Sequence, residues 1–406
     1  MSTAMNTDVN WAILNNRRIM TSTTSEMHSP RLIAFHLPQF HRIPENDAWW
    51  GNGFTEWTNV RKSKPLYKGH RQPAVPLDNN YYNLTEPAIR GWQARLARAH
   101  GIYGFCYYHY WFKGRKLLEK PCEAILESGT PDFPFCFSWA NESWTRAWDG
   151  ANHEVLIQQD YGSEPDWKAH FDYLLPFFRD RRYITHNGKP MFLIYRANDF
   201  AGMPKMIACW DRWAQEAKLP GIFFVKTLTA FDGRHGTEGF SASACMEPWL
   251  TVRGRAAPAL RCQWHAQKLV CRLLSAWGRP QKLRYVYEDI WKQMVKRTYA
   301  ANEFRGAFVG WDNTPRRGPD SWIFMGGTPE KFRAYMEQQL AGAAQDGAPY
   351  VFVNAWNEWA EGAYLEPDVT HEYAYLQGLK AAVDSISQAS REQLSKRLSF
   401  PARDTA

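Results

Sequence analysis

The chain has 406 residues, 45% of them hydrophobic, and its 49 Lys and Arg against 41 Asp and Glu give a formal net charge of +8. That length supports one large core, yet no apolar run approaches the roughly 18 uncharged residues of a membrane-spanning helix, which excludes an integral helical membrane protein. Seven cysteines, an odd number without C-x-x-C spacing, argue for reduced structural thiols and against a disulfide framework or a zinc module.

In chain order, residues 1–30 are polar, carry the pair Arg17-Arg18 and lack an apolar stretch before a small-residue cleavage site. They read as a disordered leader rather than a secretory signal. Short apolar runs then recur near residues 32–35, 104–107, 135–138, 191–195, 222–226, 241–246, 307–310 and 350–354. Helical stretches at 87–99, 166–179, 206–217 and 329–344 separate several of them, and 368–383 reads as a closing helix. Alternation of this kind predicts βα units and a parallel sheet, and eight strands is the number that an α/β fold of the (β/α)8 TIM-barrel type requires. The barrel is expected over residues 31–386, with 387–406 as a polar tail.

Several of these runs lead into polar and aromatic clusters. His36 and His41 follow the first; Tyr108, His109 and Trp111 end the second; Asn141, Glu142 and Trp144 follow the third. Trp311 and Asp312 follow the seventh, and Trp356, Asn357, Glu358 and Trp359 the eighth. A barrel gathers its strand C-termini on one face, where active sites are built. The histidines, Asn141 and Asp312 are therefore candidates for sugar-hydroxyl contacts. Trp57, Tyr108, Trp111, Trp144, Trp311 and Trp359 are candidate stacking platforms, with core packing as the competing role. The abundance of rings, 20 Trp, 19 Tyr and 23 Phe, suits a site for flat, weakly polar ligands.

Charge is concentrated between the sixth and seventh runs. Residues 253–297 contain eleven bases (Arg253, Arg255, Arg261, Lys268, Arg272, Arg279, Lys282, Arg284, Lys292, Lys296 and Arg297) against Glu288 and Asp289. With Trp264, Leu269, Val270, Leu273, Leu274 and Trp277 interleaved, this segment is expected to be a basic helical insertion. A basic amphipathic helix can lie on an anionic membrane surface; a solvated surface helix is the alternative. No nucleic-acid reader motif accompanies the charge.

Glutamates pair with Trp at Glu56-Trp57, Glu142-Ser143-Trp144 and Glu358-Trp359, and Glu361 lies three positions beyond Glu358. Glycosyl transfer needs a proton for the leaving oxygen and a second carboxylate on the attacking side, and two acids three apart can converge on one pocket from a turn. Burial against the indoles would raise one carboxyl pKa and keep it protonated as an acid. Surface glutamates at a helix N-terminus are the alternative.

The run Trp356-Asn-Glu-Trp-Ala-Glu-Gly362 with Leu365-Glu-Pro367 resembles the W-N-E-W-x-E-G…E-P signature of the WbsX-like, glycoside hydrolase family 99-like group. Ala34-Phe-His-Leu-Pro-Gln-Phe-His41, Trp50-Gly-Asn-Gly-Phe-Thr-Glu-Trp57, Gly104-Phe-Cys-Tyr-Tyr-His-Tyr-Trp111 and Phe137-Ser-Trp-Ala-Asn-Glu-Ser-Trp144 extend the resemblance over about residues 31 to 380. It implies a (β/α)8 barrel similar to endo-acting α-mannosidases, in a group often named as glycosyltransferases of bacterial surface polysaccharides. By resemblance, Glu358 would be the base acting on a sugar 2-hydroxyl, giving a 1,2-anhydro intermediate with retention, and Glu361 the acid and base at the glycosidic oxygen. Ala360 stands where the mannosidases have His.

The expected function is thus carbohydrate chemistry on an oligosaccharide or polysaccharide, lipid-linked in one version, by a cytoplasmic protein with peripheral contact at the inner membrane face. A non-catalytic glycan-binding or assembly protein is the second class. No aspartates stand two apart as a nucleotide-sugar transferase's D-x-D would, Gly51-Asn-Gly53 lacks the third glycine of a dinucleotide fingerprint, and no metal or cofactor is expected.

Overall fold

The computed structural model describes residues 29–146, 154–229, 238–276 and 284–398. Most of the expected leader, Trp277, Arg279 and Lys282 of the insertion, and the end of the tail lie outside the described residues.

Eight parallel strands form a closed ring: β1 (Arg31–His36), β2 (Ile102–Phe112), β3 (Phe135–Trp139), β4 (Lys189–Ile194), β5 (Phe223–Leu228), β6 (Ala242–Cys245), β7 (Glu303–Phe308) and β8 (Tyr350–Asn354). Each pairs in parallel with the next, and β8 returns to β1 with Arg31 opposite Tyr350. The molecule is a (β/α)8 barrel. Its strands are buried on both faces and so read as continuous apolar runs rather than alternating ones. β6 has only four residues and carries Ser and Cys, but it is held by backbone pairing on both sides. Gly306 of β7 makes that approach possible, because a Cβ there would come within 2.2 Å of the Cys245 carbonyl oxygen.

The outer layer contains α1 (Pro87–Ala99), α2 (Lys120–Ser128), α3 (Glu164–Phe178), α4 (Met203–Glu216), α5 (Pro258–Ala276), α6 (Tyr287–Val295), α7 (Pro329–Gln345) and α8 (Ala374–Leu398). Pro occupies the first turn of α1, α2, α3, α4 and α7, where the missing N–H costs no hydrogen bond. Among the described residues no helix joins β5 to β6. The closing helix starts six residues later than the sequence suggested, because the Asp368 carboxylate accepts from the Thr370 and His371 backbone N–H groups and holds a turn first.

The insertion lies between β6 and β7, as expected, and comprises a π-helical turn (Leu250–Arg255), α5 and α6. Part of its charge is spent internally: Arg297 Nη1 lies 2.7 Å from Glu247 Oε1, and Arg255 pairs with Glu303. Rings do the rest of the anchoring. Trp249 packs against Trp311, Trp322 and Phe324, and Trp264 of α5 against Tyr285. No helix among the described residues is long and apolar enough to cross a membrane.

Candidate active site

After β8 the chain makes a two-residue strand, Asn357–Glu358, a 3-10 turn, Trp359–Glu361, and an antiparallel return at Ala363–Tyr364. Glu358, which precedes the turn, and Glu361, which ends it, project to the same side and line one cavity. Gly362, at φ 62°, ends the turn; a Cβ there would stand 2.7 Å from the Asp312 backbone nitrogen. That close approach lets the Asp312 N–H donate to the Glu361 carbonyl at 2.6 Å, locking the turn to the end of β7.

Arg316 fills the space between the acids. Its Nη2 donates to Glu56 Oε1 at 2.6 Å and to Glu358 Oε2 at 3.1 Å, Nε donates to Glu56 at 3.1 Å, and Nη1 donates to Glu361. Glu56 opens a helix at Glu56–Lys62, started by the Thr58 hydroxyl accepting from the Thr55 N–H. Arg316 sits in a single turn, Thr314–Arg317, whose first N–H is capped by Asp312 Oδ1. One buried cation therefore faces three carboxylates. Burial is the main cause that pushes the carboxyls of Glu56, Glu358 and Glu361 above their ordinary range, with Glu358 raised to about 8; the Glu361 charge adds to it and Arg316 opposes it. The Arg316 pKa is raised by its three carboxylate neighbours.

Beside this cluster is a cavity of about 180 Å³ lined by Tyr108, Tyr110, Glu142, Trp144, Tyr195, Arg316 and both glutamates of the turn. It falls below the ~300–1,000 Å³ of pockets for drug-sized ligands, so its scale suits one sugar ring rather than a whole oligosaccharide. Behind the cluster, Glu366 is 3% exposed and accepts from Trp359 Nε1 at 2.7 Å, Tyr82 Oη at 2.8 Å and Gln93 Nε2 at 2.7 Å. Burial raises its carboxyl to about 7 against the pull of those donors. Asn357 clips β8 to β1, accepting from the Leu37 N–H at 2.7 Å and donating to the Leu37 carbonyl at 3.0 Å.

The family model for glycosyltransferase WbsX matches residues 32–379. The chain belongs to the WbsX glycosyltransferase family. This WbsX-family chain is 35% identical over 376 residues to the uncharacterized protein WxcX of Xanthomonas campestris pv. campestris strain B100, and 36% identical over 365 residues to WxcX of strain ATCC 33913. Those matches take in 92% and 89% of this chain but 52% and 50% of the relatives, so the chain spans about half the length of the curated relatives it matches. Among solved structures, the GH99 endo-α-mannosidase from Bacteroides thetaiotaomicron superposes with a TM-score of 0.51 at 13% identity, over 89% of this chain and 98% of that one. A glycoside hydrolase-like protein superposes at 0.56 and 13%, over 88% and 94%. At such identity these likenesses establish the shared barrel.

Within this WbsX-family barrel, the sequence-predicted residues divide. Glu358, Glu361, Tyr108, Glu142 and Trp144 line the cavity, and Glu56 joins the cluster through Arg316. The others lie outside this cavity and make contacts within the fold, and Trp359 lines a separate cavity with Tyr82 and Glu366. His36 is buried against Gln93 Oε1 at 3.2 Å and its pKa falls to about 3; His41 is buried on the Pro38 carbonyl and falls to about 4. His109 Nε2 lies 2.8 Å from His170 Nε2, and Trp111 stacks on His170 with centroids 4.6 Å apart, both toward α3 and away from the cavity. Asn141 accepts from the Arg196 N–H at 2.7 Å and joins the ends of β3 and β4. The Asp312 carboxylate is taken up by His70 and Gln72, both at 2.7 Å, and by Thr314. Trp57 donates to the Tyr82 carbonyl, Trp356 packs on Phe105, Trp311 on Trp249, and Trp359 stacks on Tyr364.

Arg316, Tyr110 and Tyr195 also line the cavity and were not foreseen. The signal for Arg316 was chemical: three glutamates gathered at a buried barrel mouth demand a cation, and Arg316-Arg317 follow the seventh strand. Among the described residues no three His, Cys, Asp or Glu side chains are grouped to hold a metal ion.

Proposed function

We propose that this chain acts on the glycosidic bonds of a bacterial surface polysaccharide or its precursor, using Glu358 and Glu361 as its acid and base. One observation carries the reading: both carboxyl groups converge on one guanidinium at the wall of an aromatic-lined, ring-sized cavity. With three acids and one cation the cluster retains a proton near neutrality, which supplies one protonated and one ionised partner. In the retaining route that the resemblance implies, the ionised carboxylate takes the sugar 2-hydroxyl proton as that oxygen attacks C1. The protonated one gives its proton to the departing oxygen as the C1–O bond breaks. Hydrolysis and transfer differ only in whether water or a sugar hydroxyl then opens the ring, so the same pair serves both directions.

The resemblance makes Glu361 the acid. The cluster itself favours the other order, since Glu358 is the more buried of the two and burial raises its carboxyl to about 8. Leaving-group dependence separates them. An aryl glycoside with a good leaving group rescues a Gln variant of the acid but not of the base, measured by turnover of each variant on activated and unactivated substrates. Undiminished turnover of the unactivated substrate by both Gln variants would defeat catalysis by this pair.

A second reading has its own support. Arg316 engages both glutamates in ion pairs, as expected of a barrel that binds a glycan without turning it over. Glycan binding that persists in Glu361→Gln, with no cleavage or transfer by the unsubstituted protein, would favour it.

A further inference from the structure

Helix α5 meets the rest of the protein along one line and presents a different face outward. Trp264 is its buried anchor, with Leu260 and Cys271 partly covered on the same side. Successive residues turn by about 100°, so the face opposite Trp264 carries Cys262, Ala266, Leu269, Val270 and Leu273. Leu269 is 59% exposed, Val270 53% and Leu273 56%, a continuous apolar stripe rather than scattered hydrophobic residues. Along one flank run Arg261, His265 and Lys268, all exposed. No Asp or Glu occurs anywhere in Pro258–Ala276, and Arg261 and Lys268 have no carboxylate partner among the described residues.

We propose that α5 docks the protein on an anionic lipid surface, its apolar stripe entering the headgroup boundary and its basic flank meeting lipid phosphates. An exposed stripe beside an acid-free basic row is what an interfacial helix requires; a protein partner would need no such one-signed border. Position adds to the case. Trp264 packs on Tyr285 at 5.1 Å, Tyr285 on Phe324 at 5.2 Å and Phe324 on Trp311 at 6.4 Å. Trp311 precedes Asp312, whose N–H holds the Glu361 turn. The helix therefore stands on the same end of the barrel as the carboxylate cluster. Docking would bring the cavity to the lipid surface, where a lipid-linked glycan presents its sugars. That last consequence rests on the proposed function, whereas the docking itself does not.

The test uses the full chain with sucrose-loaded vesicles of phosphatidylcholine alone or with 30% phosphatidylglycerol. Binding should appear with the anionic vesicles, fall steeply between 50 and 300 mM salt, and drop about fivefold for each of Arg261→Gln and Lys268→Gln. Leu269→Asn with Leu273→Asn should abolish it at unchanged melting temperature, because both side chains are mostly exposed. Equal vesicle binding by that double variant overturns the proposal. So does a lipid-independent dimer of the unsubstituted protein that the double variant dissolves, which would make the stripe a contact between copies. Activity on a soluble oligosaccharide is measured in parallel and should not respond, so failure of docking and failure of the enzymatic reading are distinguishable.

Discussion

Glu56 and Arg316 stand 260 residues apart in sequence and 2.6 Å apart in the fold, and the Glu56 side chain is wholly shielded from solvent. This pair ties the loop after β1 to the loop after β7 beneath the turn that bears Glu358 and Glu361. Removing the cation leaves three buried acids without a counter-charge, a change worth about 3–5 kcal/mol in comparable sites. Arg316→Met should therefore lose most activity and melt lower than the unsubstituted protein. Its carboxyls, raised further above their unfolded values, must take up protons on folding, so its stability deficit should widen as pH rises. Denaturation midpoints at pH 5.5 and 8.5 check the sign; an equal deficit at both would show that the acids lie in a wetter setting. Arg316→Lys keeps the charge but not the forked donor set and should fall between the two.

Glu358 itself should destabilise the fold at alkaline pH. Its carboxyl is raised to about 8, mainly by burial, whereas an unfolded glutamate titrates near 4.5. Between those values the native state binds the extra proton, so the group's contribution falls as pH climbs from 4.5 through 8. Glu358→Gln abolishes that dependence. It should be more stable than the unsubstituted protein at pH 8.5, by on the order of 2–4 kcal/mol, and nearly equally stable at pH 4.5. Calorimetry across that window reads it, and a gain at acid pH instead would reverse the assignment.

Adjacent residues of β2 should answer mutation in opposite ways. Tyr108 lines the cavity beside the two glutamates, while His109 points outward to His170. Tyr108→Phe should cut kcat/KM about tenfold with little change in melting. His109→Ala should leave kinetics alone and cost about 2–4 kcal/mol through the lost hydrogen bond and a cavity among rings.

That pair also marks how much could be read beforehand. The barrel was legible because strands buried on both faces are unbroken apolar runs, and the glutamate pair because its turn is compact in sequence. Tyr108 and Trp111 read as stacking platforms and His109 as a hydroxyl contact at one site, although a strand's period of two puts His109 and Trp111 on one face and Tyr108 with Tyr110 on the other. Arg316 was missed for a different reason: its partners come from two loops more than 300 residues apart in sequence, and only closure of the ring brings Glu56 beside Glu358. Similarly, the basic count of the insertion did not reveal that Arg255 and Arg297 are consumed by Glu303 and Glu247.

Glu366 should act on turnover without touching substrate. Its carboxylate accepts three donors, from Trp359, Tyr82 and Gln93, and Trp359 lies between the two proposed catalytic residues in sequence. In Glu366→Gln one acceptor oxygen becomes an NH2 group that must face one of those donors. Relief by flipping Gln93 would turn its NH2 toward His36, which now sits 3.2 Å from the Gln93 oxygen, so the conflict moves inward rather than disappearing. The cost is about 1–3 kcal/mol, and the Trp359 turn should shift with it. Because the carboxyls of that turn must stay aligned with a reacting sugar, kcat should fall about tenfold while KM changes little. Steady-state kinetics beside melting curves separates the outcomes: a lowered melting temperature with kcat intact would make the network scaffold alone, and a rise in KM with kcat intact would move Trp359 from positioning to substrate contact.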